Sequence, residues 1–197
     1  MRKSGMWALA LILCFSISSA AGFAQEYPKC ELGGGFSYYS VGNGGEWLGW
    51  NTWGAKNLNR WFGLTYDISG FHISQLQSFY YFQNHMDRRR SNFLAGVRLT
   101  NWNLGRTTPF FHVLAGLSRT ATANNITLID GTPLGTSRQA ENAFAIAFGG
   151  GIDLKIKDAL ALRLLHLDYM RVRSAGEWEE GVRVSVGLIV RLGTTRD

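Results

Sequence analysis

The chain has 197 residues, 46% of them hydrophobic and only 17% charged, with 24 glycines and a formal charge of +6. This length suits a single domain, and two cysteines, Cys14 in an apolar N-terminal run and Cys30, exclude a disulfide framework. The only cluster of basic residues is Arg88-Arg89-Arg90, which reads as part of a loop, so the positive balance does not point to a nucleic-acid partner.

The N-terminus reads MRKSGMWALALILCFSISSAAGFA. Arg2 and Lys3 precede an apolar run from Met6 to about Ala21, and Gly22-Phe23-Ala24 follows with small residues. This is the pattern of a secretory signal peptide over 1–24, cleaved after Ala24. The run is short for a membrane-spanning helix. Cys14 follows the bulky Leu13, where a lipoprotein site wants a small residue. The mature domain, 25–197, carries a formal charge of +4 once Arg2 and Lys3 are gone, and it contains no long apolar segment.

The mature region is organised by a period of two, which marks strands with one apolar face. A first, weaker strand covers Glu31 to Val41 and a second Trp47 to Lys56. Phe62, Leu64, Tyr66 and Ile68 define the third. Phe93, Ala95, Val97 and Leu99 define the fourth, and Phe111, Val113, Ala115 and Leu117 the fifth. Phe144, Ile146, Phe148, Ile152 and Leu154 form the sixth. In the seventh, Ala159 to Met170, Arg163 has the opposite parity to His166 and Asp168, so it carries a bulge near Leu164-Leu165 or a mixed face. The last is the clearest: within EEGVRVSVGLIVRLG, Val182, Val184, Val186, Leu188, Val190 and Leu192 alternate with Arg183, Ser185, Gly187, Ile189 and Arg191. Strands of this length cross a bilayer when tilted.

Short connections fall at 57–60, 101–108 and 156–158, and long polar ones at 72–87, 121–141 and 171–180, with 42–46 as a short exception. Short turns on one side and long loops on the other are the habit of outer-membrane barrels, and an even strand number leaves both termini on the short-turn, periplasmic side.

An apolar face meets either a core or lipid. A lipocalin-like barrel would place it inside and expose the other face to water. That other face is mostly Gly, Ala, Ser and Thr with about one charge per strand, a poor exterior for a soluble protein. The apolar face would also overfill so small an interior. Aromatic residues near strand ends read as two interfacial girdles: Trp61, Trp102 and Phe110 on one side, Tyr38, Tyr39, Trp47, Tyr169 and Trp178 on the other. Gly45-Glu46-Trp47 matches the lipocalin G-x-W signature only over three residues in a Gly- and Trp-rich chain. The expected fold is therefore all-β: an eight-stranded antiparallel up-and-down transmembrane β-barrel preceded by a cleaved signal peptide.

The segments TPFFHVLAG (108–116), AFGGGIDLKI (147–156), ALALRLLHLDY (159–169) and RVSVGLIVRLG (183–193) resemble the bacterial outer-membrane protein β-barrel domain family, related to the OmpA-type transmembrane barrel. The resemblance covers the mature chain and implies fold more than activity. It implies outer-membrane lipid and lipopolysaccharide as surroundings, and insertion machinery that reads the C-terminal strand. Such barrels usually end on an aromatic residue, whereas this chain ends RLGTTRD, so Leu192 would have to serve. No peptidoglycan-binding domain is expected after the last strand.

Chemistry-bearing patterns are few. None of His72, His85, His112 and His166 sits in the His-x-Ser-Asn pattern of the lipid A deacylases. His166 and Asp168 share a face and read as an interior hydrogen-bonded pair, with Ser174 in a loop. No further residues stand at metal-ligand spacing, and no cofactor is implied. Gly149-Gly150-Gly151 is followed by a strand rather than a helix, so it reads as close packing or a bend. Lone charges facing inward must pair. The expected interior network is Glu31, Asp67, Arg98, His112, Asp153, Arg163, Arg183 and Arg191. The functional expectation is a non-enzymatic, monomeric barrel with a plugged lumen and a structural or surface-contact role through its long loops. The alternatives are a small pore or transporter of hydrophobic solutes, a lipid A-modifying enzyme, and a secreted lipocalin-like carrier.

Overall fold

The computed structural model describes residues 27–42, 45–78, 81–128, 130, 132–174 and 176–195, and the signal peptide assigned to 1–24 lies outside them. Eight strands follow in order: β1 (Tyr27–Val41), β2 (Gly45–Asn57), β3 (Phe62–Ser78), β4 (Phe82–Thr100), β5 (Thr107–Leu128), β6 (Pro133–Lys157), β7 (Leu160–Ser174) and β8 (Glu177–Thr195). Each pairs antiparallel with its neighbours in sequence, and β8 returns to β1 to close the barrel. Closure matters because backbone groups at an open edge have no water to turn to inside hydrocarbon. At the seam Glu31 stands opposite Arg191 and Ser37 opposite Ser185, whose hydroxyls lie 2.8 Å apart.

Alternation sets the polarity of the wall. Phe36 is 81% exposed, Leu48 70% and Leu117 60%, whereas Glu31, Asp153, Asp168 and Arg183 are 0% exposed. A protein folded in water shows the reverse. The apolar side chains form an outward band and the charges line an enclosed interior, as a lipid-facing barrel requires.

The parity conflict in β7 resolves as a bulge. Register shifts between Arg163 and His166, so Leu164 and Leu165 both face outward. The extra residue returns Arg163, His166 and Asp168 to one inward face. Tight wall curvature appears at the glycines. A Cβ on Gly35 would lie 1.9 Å from the Val186 carbonyl oxygen, and one on Gly96 2.0 Å from that of Val113. Gly149, Gly150 and Gly151 meet the carbonyls of Leu167, Phe110 and Leu165 in the same way. Backbone oxygens cannot step aside, so these positions admit no side chain.

Three expectations need correction. The segments read as long loops are mostly strand: β3 runs to Ser78, β4 begins at Phe82, β5 runs to Leu128, β6 begins at Pro133, and β7 and β8 reach Ser174 and Glu177. Beyond the apolar band both faces meet water, so alternation disappears from the sequence while the ladder continues through Ser78–Gln83, Phe82–Leu128 and Thr127–Pro133. The upper parts of β3 to β6 thus make a four-stranded arm. Among the described residues, β2 pairs with β3 only as far as His72 and β7 pairs with β6 only from Phe144, leaving both arm edges open. Second, Arg88-Arg89-Arg90 lie within β4 rather than in a loop. Third, Tyr39, Trp47, Trp102 and Phe110 are buried in the interior rather than set in interfacial girdles.

The short-turn end holds both ends of the described chain, with Tyr27 opposite Thr195. There Lys155 Nζ lies 2.6 Å from Asp158, and this hydrogen bond and its charge hold the Asp158 carboxyl below its ordinary value.

Placing a charge in the centre of the outward band tests its medium. Phe148→Arg should cost about 2–4 kcal/mol of stability for the barrel folded in lipid vesicles, measured by urea titration of tryptophan fluorescence.

Candidate functional site

The chemistry of this chain is concentrated in the lumen, and the bands of inward side chains can be followed from the short-turn end. Glu31 of β1 accepts from two arginines: Arg98 of β4 through Nη2, and Arg191 of β8 through Nε at 3.0 Å. Arg98 Nε also donates to Thr100 Oγ1 at 2.8 Å, and Arg191 lies over the Trp102 ring. In the next band Arg163 of β7 donates through Nε and Nη2 to the two oxygens of Asp153 of β6, at 2.8 and 3.0 Å. Its guanidinium lies 4.3 Å from the Trp53 ring centroid and 4.1 Å from that of Phe110. The bidentate pair is the strongest geometry available to an arginine, and the ring contacts add to it.

Arg183 of β8 is fully buried and divided between two carboxylates. Nε and Nη2 donate to Asp168 Oδ2 at 2.9 and 2.5 Å, and Nη1 donates to Asp67 Oδ1 at 2.5 Å. Asn51 Nδ2 donates to Asp67 Oδ2 at 3.2 Å. The other oxygen of Asp168 faces two imidazoles, with His112 Nε2 at 2.7 Å and His166 Nε2 at 3.0 Å. The eight residues expected in the interior are therefore all inward, and they fall into three clusters joined by packing. In the sequence His166 and Asp168 read as a separate pair; the structure attaches them to Asp67 and Arg183, a link that depends on register across strands. A further inward charge that sequence reading misses is Arg90, whose Nη1 donates to Glu179 while its guanidinium lies over Trp47 and Tyr39. Extending the parity of Asn92 and Leu94 backward would mark Arg88 and Arg90 as inward and Arg89 as outward.

Above the ionic bands comes an apolar plug of Tyr39, Trp47, Phe71, Leu94, Leu114 and Met170 with its neighbours. A cavity of about 320 Å³ opens at the short-turn end beside Trp102, Thr108 and Arg191, and another of about 510 Å³ at the arm end beside Arg88, Arg90 and Thr120. The ionic bands and the plug lie between them.

Two chemical readings can be weighed on this geometry. His112, His166 and Asp168 bring three metal-type donor atoms together, which spacing in sequence did not reveal. Both imidazole N–H groups can donate to Asp168 Oδ1 while Arg183 fills Oδ2, and among the described residues Nδ1 of His166 is buried with no hydrogen-bond partner. Outside the wall, Ser74 Oγ lies 3.3 Å from His85 Nε2, and Asp87 Oδ2 lies 3.3 Å from that same nitrogen. An acyl-transfer triad needs the acid on one ring nitrogen and the nucleophile on the other, so this trio does not form a relay. Ser174 donates to Glu141 at 3.0 Å rather than to a histidine.

A scan against protein-family models finds no match, and a search of curated proteins finds none either. Solved structures do match. Neisserial surface protein A aligns with a TM-score of 0.56 at 9% identity, over 85% of this chain and 99% of that one. Ail, the attachment invasion locus protein of Yersinia pestis, crystallised with the heparin analogue sucrose octasulfate, gives 0.55 at 12%, over 86% and 100%. A major outer membrane protein of Thermus thermophilus gives 0.54 at 12%, over 83% and 99%. The fold is that of the eight-stranded outer-membrane β-barrels. Within this barrel fold, four interior carboxylates (Glu31, Asp67, Asp153, Asp168) meet four guanidiniums (Arg98, Arg163, Arg183, Arg191), so these eight side chains balance in charge.

Removing one member should be costly, because its partners stay buried. Arg183→Gln should destabilise the barrel by about 3–5 kcal/mol, read as a lower urea midpoint for loss of the folded band on unboiled gels.

Proposed function

We propose that this chain is a non-enzymatic protein of the bacterial outer membrane whose lumen is closed and whose arm serves as a contact surface. The observation that carries the reading is the inverted polarity of the wall. Apolar side chains face outward along every strand, while the charges inside neutralise one another. A wall of this kind is stable in lipid and poorly suited to water. Residues 1–24 direct export and are removed, and the domain 25–197 inserts as a monomer with both termini in the periplasm. The insertion machinery reads β8, where Leu192 is the last outward apolar residue. Outer-membrane lipid and lipopolysaccharide surround the band.

The contact role rests on the arm of β3 to β6. It rises beyond the band and presents two open strand edges, which can accept an added strand from a partner. That Ail, the attachment invasion locus protein of Yersinia pestis, shares this fold and was crystallised with a heparin analogue supports this role.

Fractionation of the expressing cell tests the membrane assignment. The protein should pellet with outer membranes, need detergent for extraction, and migrate differently on gels when unboiled; a soluble product would refute it. Purified barrel in planar bilayers should show no large, stable conductance steps, and their appearance would instead favour the pore.

A further inference from the structure

His112, His166 and Asp168 meet inside the lumen although their strands are not neighbours. His112 of β5 stands opposite Gly149 of β6, and Gly149 stands opposite Asp168 of β7. His166, two residues before Asp168, stands opposite Gly151. The three side chains therefore lean together across β6, over a span of roughly 10 Å from β5 to β7 at the usual strand spacing. Glycine beneath them makes the room. A Cβ on Gly149 would strike the Asp168 carboxylate, and one on Gly151 the Phe110 ring. All three side chains are buried, His166 to 1% exposure and Asp168 to 0%. Nε2 of His112 lies 2.7 Å from Asp168 Oδ1, Nε2 of His166 lies 3.0 Å from the same oxygen, and the two nitrogens are 3.4 Å apart.

Donors held at 2.0–2.1 Å by a four-coordinate zinc ion stand about 3.3–3.4 Å from one another. The two imidazole nitrogens already have that spacing, and Asp168 Oδ1 has to withdraw by only about 0.3–0.6 Å to match it. Hydrogen bonds alone serve the trio poorly. With its proton on Nε2, His166 keeps a bare Nδ1 lone pair, buried and without a partner among the described residues. With its proton on Nδ1, it aims the Nε2 lone pair at a carboxylate oxygen, an arrangement that a cation between them makes favourable. Charge points the same way. Asp67 and Asp168 share one guanidinium, Arg183, so this cluster has a surplus carboxylate, whereas Glu31 lies between Arg98 and Arg191. Arg183 also holds the far oxygen of Asp168, as outer partners of a ligating carboxylate do. We propose that His112 Nε2, His166 Nε2 and Asp168 Oδ1 bind a divalent d-block cation, with zinc the best match, and so clasp β5 to β7. Two imidazoles and one carboxylate suit zinc and its neighbours in the series rather than calcium or magnesium. Three protein donors leave a fourth position for water. The ionic bands and the apolar plug enclose the ion, so it is loaded as the barrel folds. Because β5 and β7 alone supply the donors, the site is independent of the contact role proposed for the arm.

Refolding the full mature chain into detergent micelles with zinc present, followed by passage over a chelating resin, tests it. The folded barrel should retain stoichiometric zinc by elemental analysis. X-ray absorption of that zinc should show two imidazoles in a nitrogen and oxygen shell at about 2.0–2.1 Å. Zinc should also raise the urea midpoint of the parent, since it binds the folded state alone. His112→Gln and His166→Gln should each weaken zinc binding by more than about tenfold, a loss that even an outer-shell partner can cause, while keeping the heat-modifiable folded band. His72→Gln and His85→Gln, at exposed positions, should retain the metal. A folded parent without zinc, an absorption spectrum without imidazole, or zinc held as tightly by His112→Gln as by the parent would overturn the site. So would loss of zinc in the His72 or His85 variant, which would place the metal on the outside of the wall. The spectrum of the parent decides the matter even if both lumen variants fold poorly.

Discussion

An eight-stranded barrel encloses a space only a few side chains wide, and here four arginines occupy its lower and middle bands. A guanidinium removed from water costs several kcal/mol unless its partners are close and well aimed. Each arginine meets this condition differently. Arg163 takes both oxygens of Asp153 and lies against two rings, Arg183 spans Asp67 and Asp168, and Arg98 and Arg191 share Glu31. Room for such groups comes from the positions facing them. A Cβ on Gly33 or Gly187 would strike the Trp53 ring, one on Gly151 the Phe110 ring, and one on Gly181 the Tyr39 ring. The abundance of glycine is thus a consequence of filling a narrow cylinder with arginine and tryptophan.

The same filling separates the two ends. Ionic bands occupy the part near the short turns, and an apolar plug around Trp47, Phe71 and Leu114 occupies the part near the arm. Arg88 and Arg90 then cover the plug from above, over the Trp47 ring. The polar vestibules at the two ends are parted by both layers. The proposed contact role accordingly rests on the outside of the wall, on the arm of β3 to β6.

Much of this architecture is legible from residue order. The alternation of Val182 to Leu192 separates the two faces of β8, and the small residues and sparse charge of the second face assign the apolar one to lipid. The opposed parity of Arg163 and His166 leaves a bulge near Leu164-Leu165 or a mixed face, and the register shift selects the bulge. Where both faces meet water that signal vanishes, so 72–87, 121–141 and 171–180 read as loops although they are largely paired strand. Tyr39 and Trp47 mislead for a related reason: an aromatic ring at a strand end suits an interface and a lumen equally, and only parity separates them. The division of Arg183 between Asp67 and Asp168 cannot be read, since it depends on which residues face one another across a closed ring.

That last point bears on how the barrel is made. Arg191 and Glu31 are 160 residues apart, Arg183 and Asp67 116, and Arg98 and Glu31 67. No hairpin or half-sheet can bring these partners together. An unfinished sheet in a bilayer would hold bare carboxylates and guanidiniums with nothing opposite them, and the strand that ends this strain is β8, which delivers Arg183 and Arg191 as it docks on β1. The β6–β7 and β7–β8 hairpins supply Arg163–Asp153 and Arg183–Asp168 on their own, but Glu31 meets Arg191 and Asp67 meets Arg183 only when the first strand joins the last.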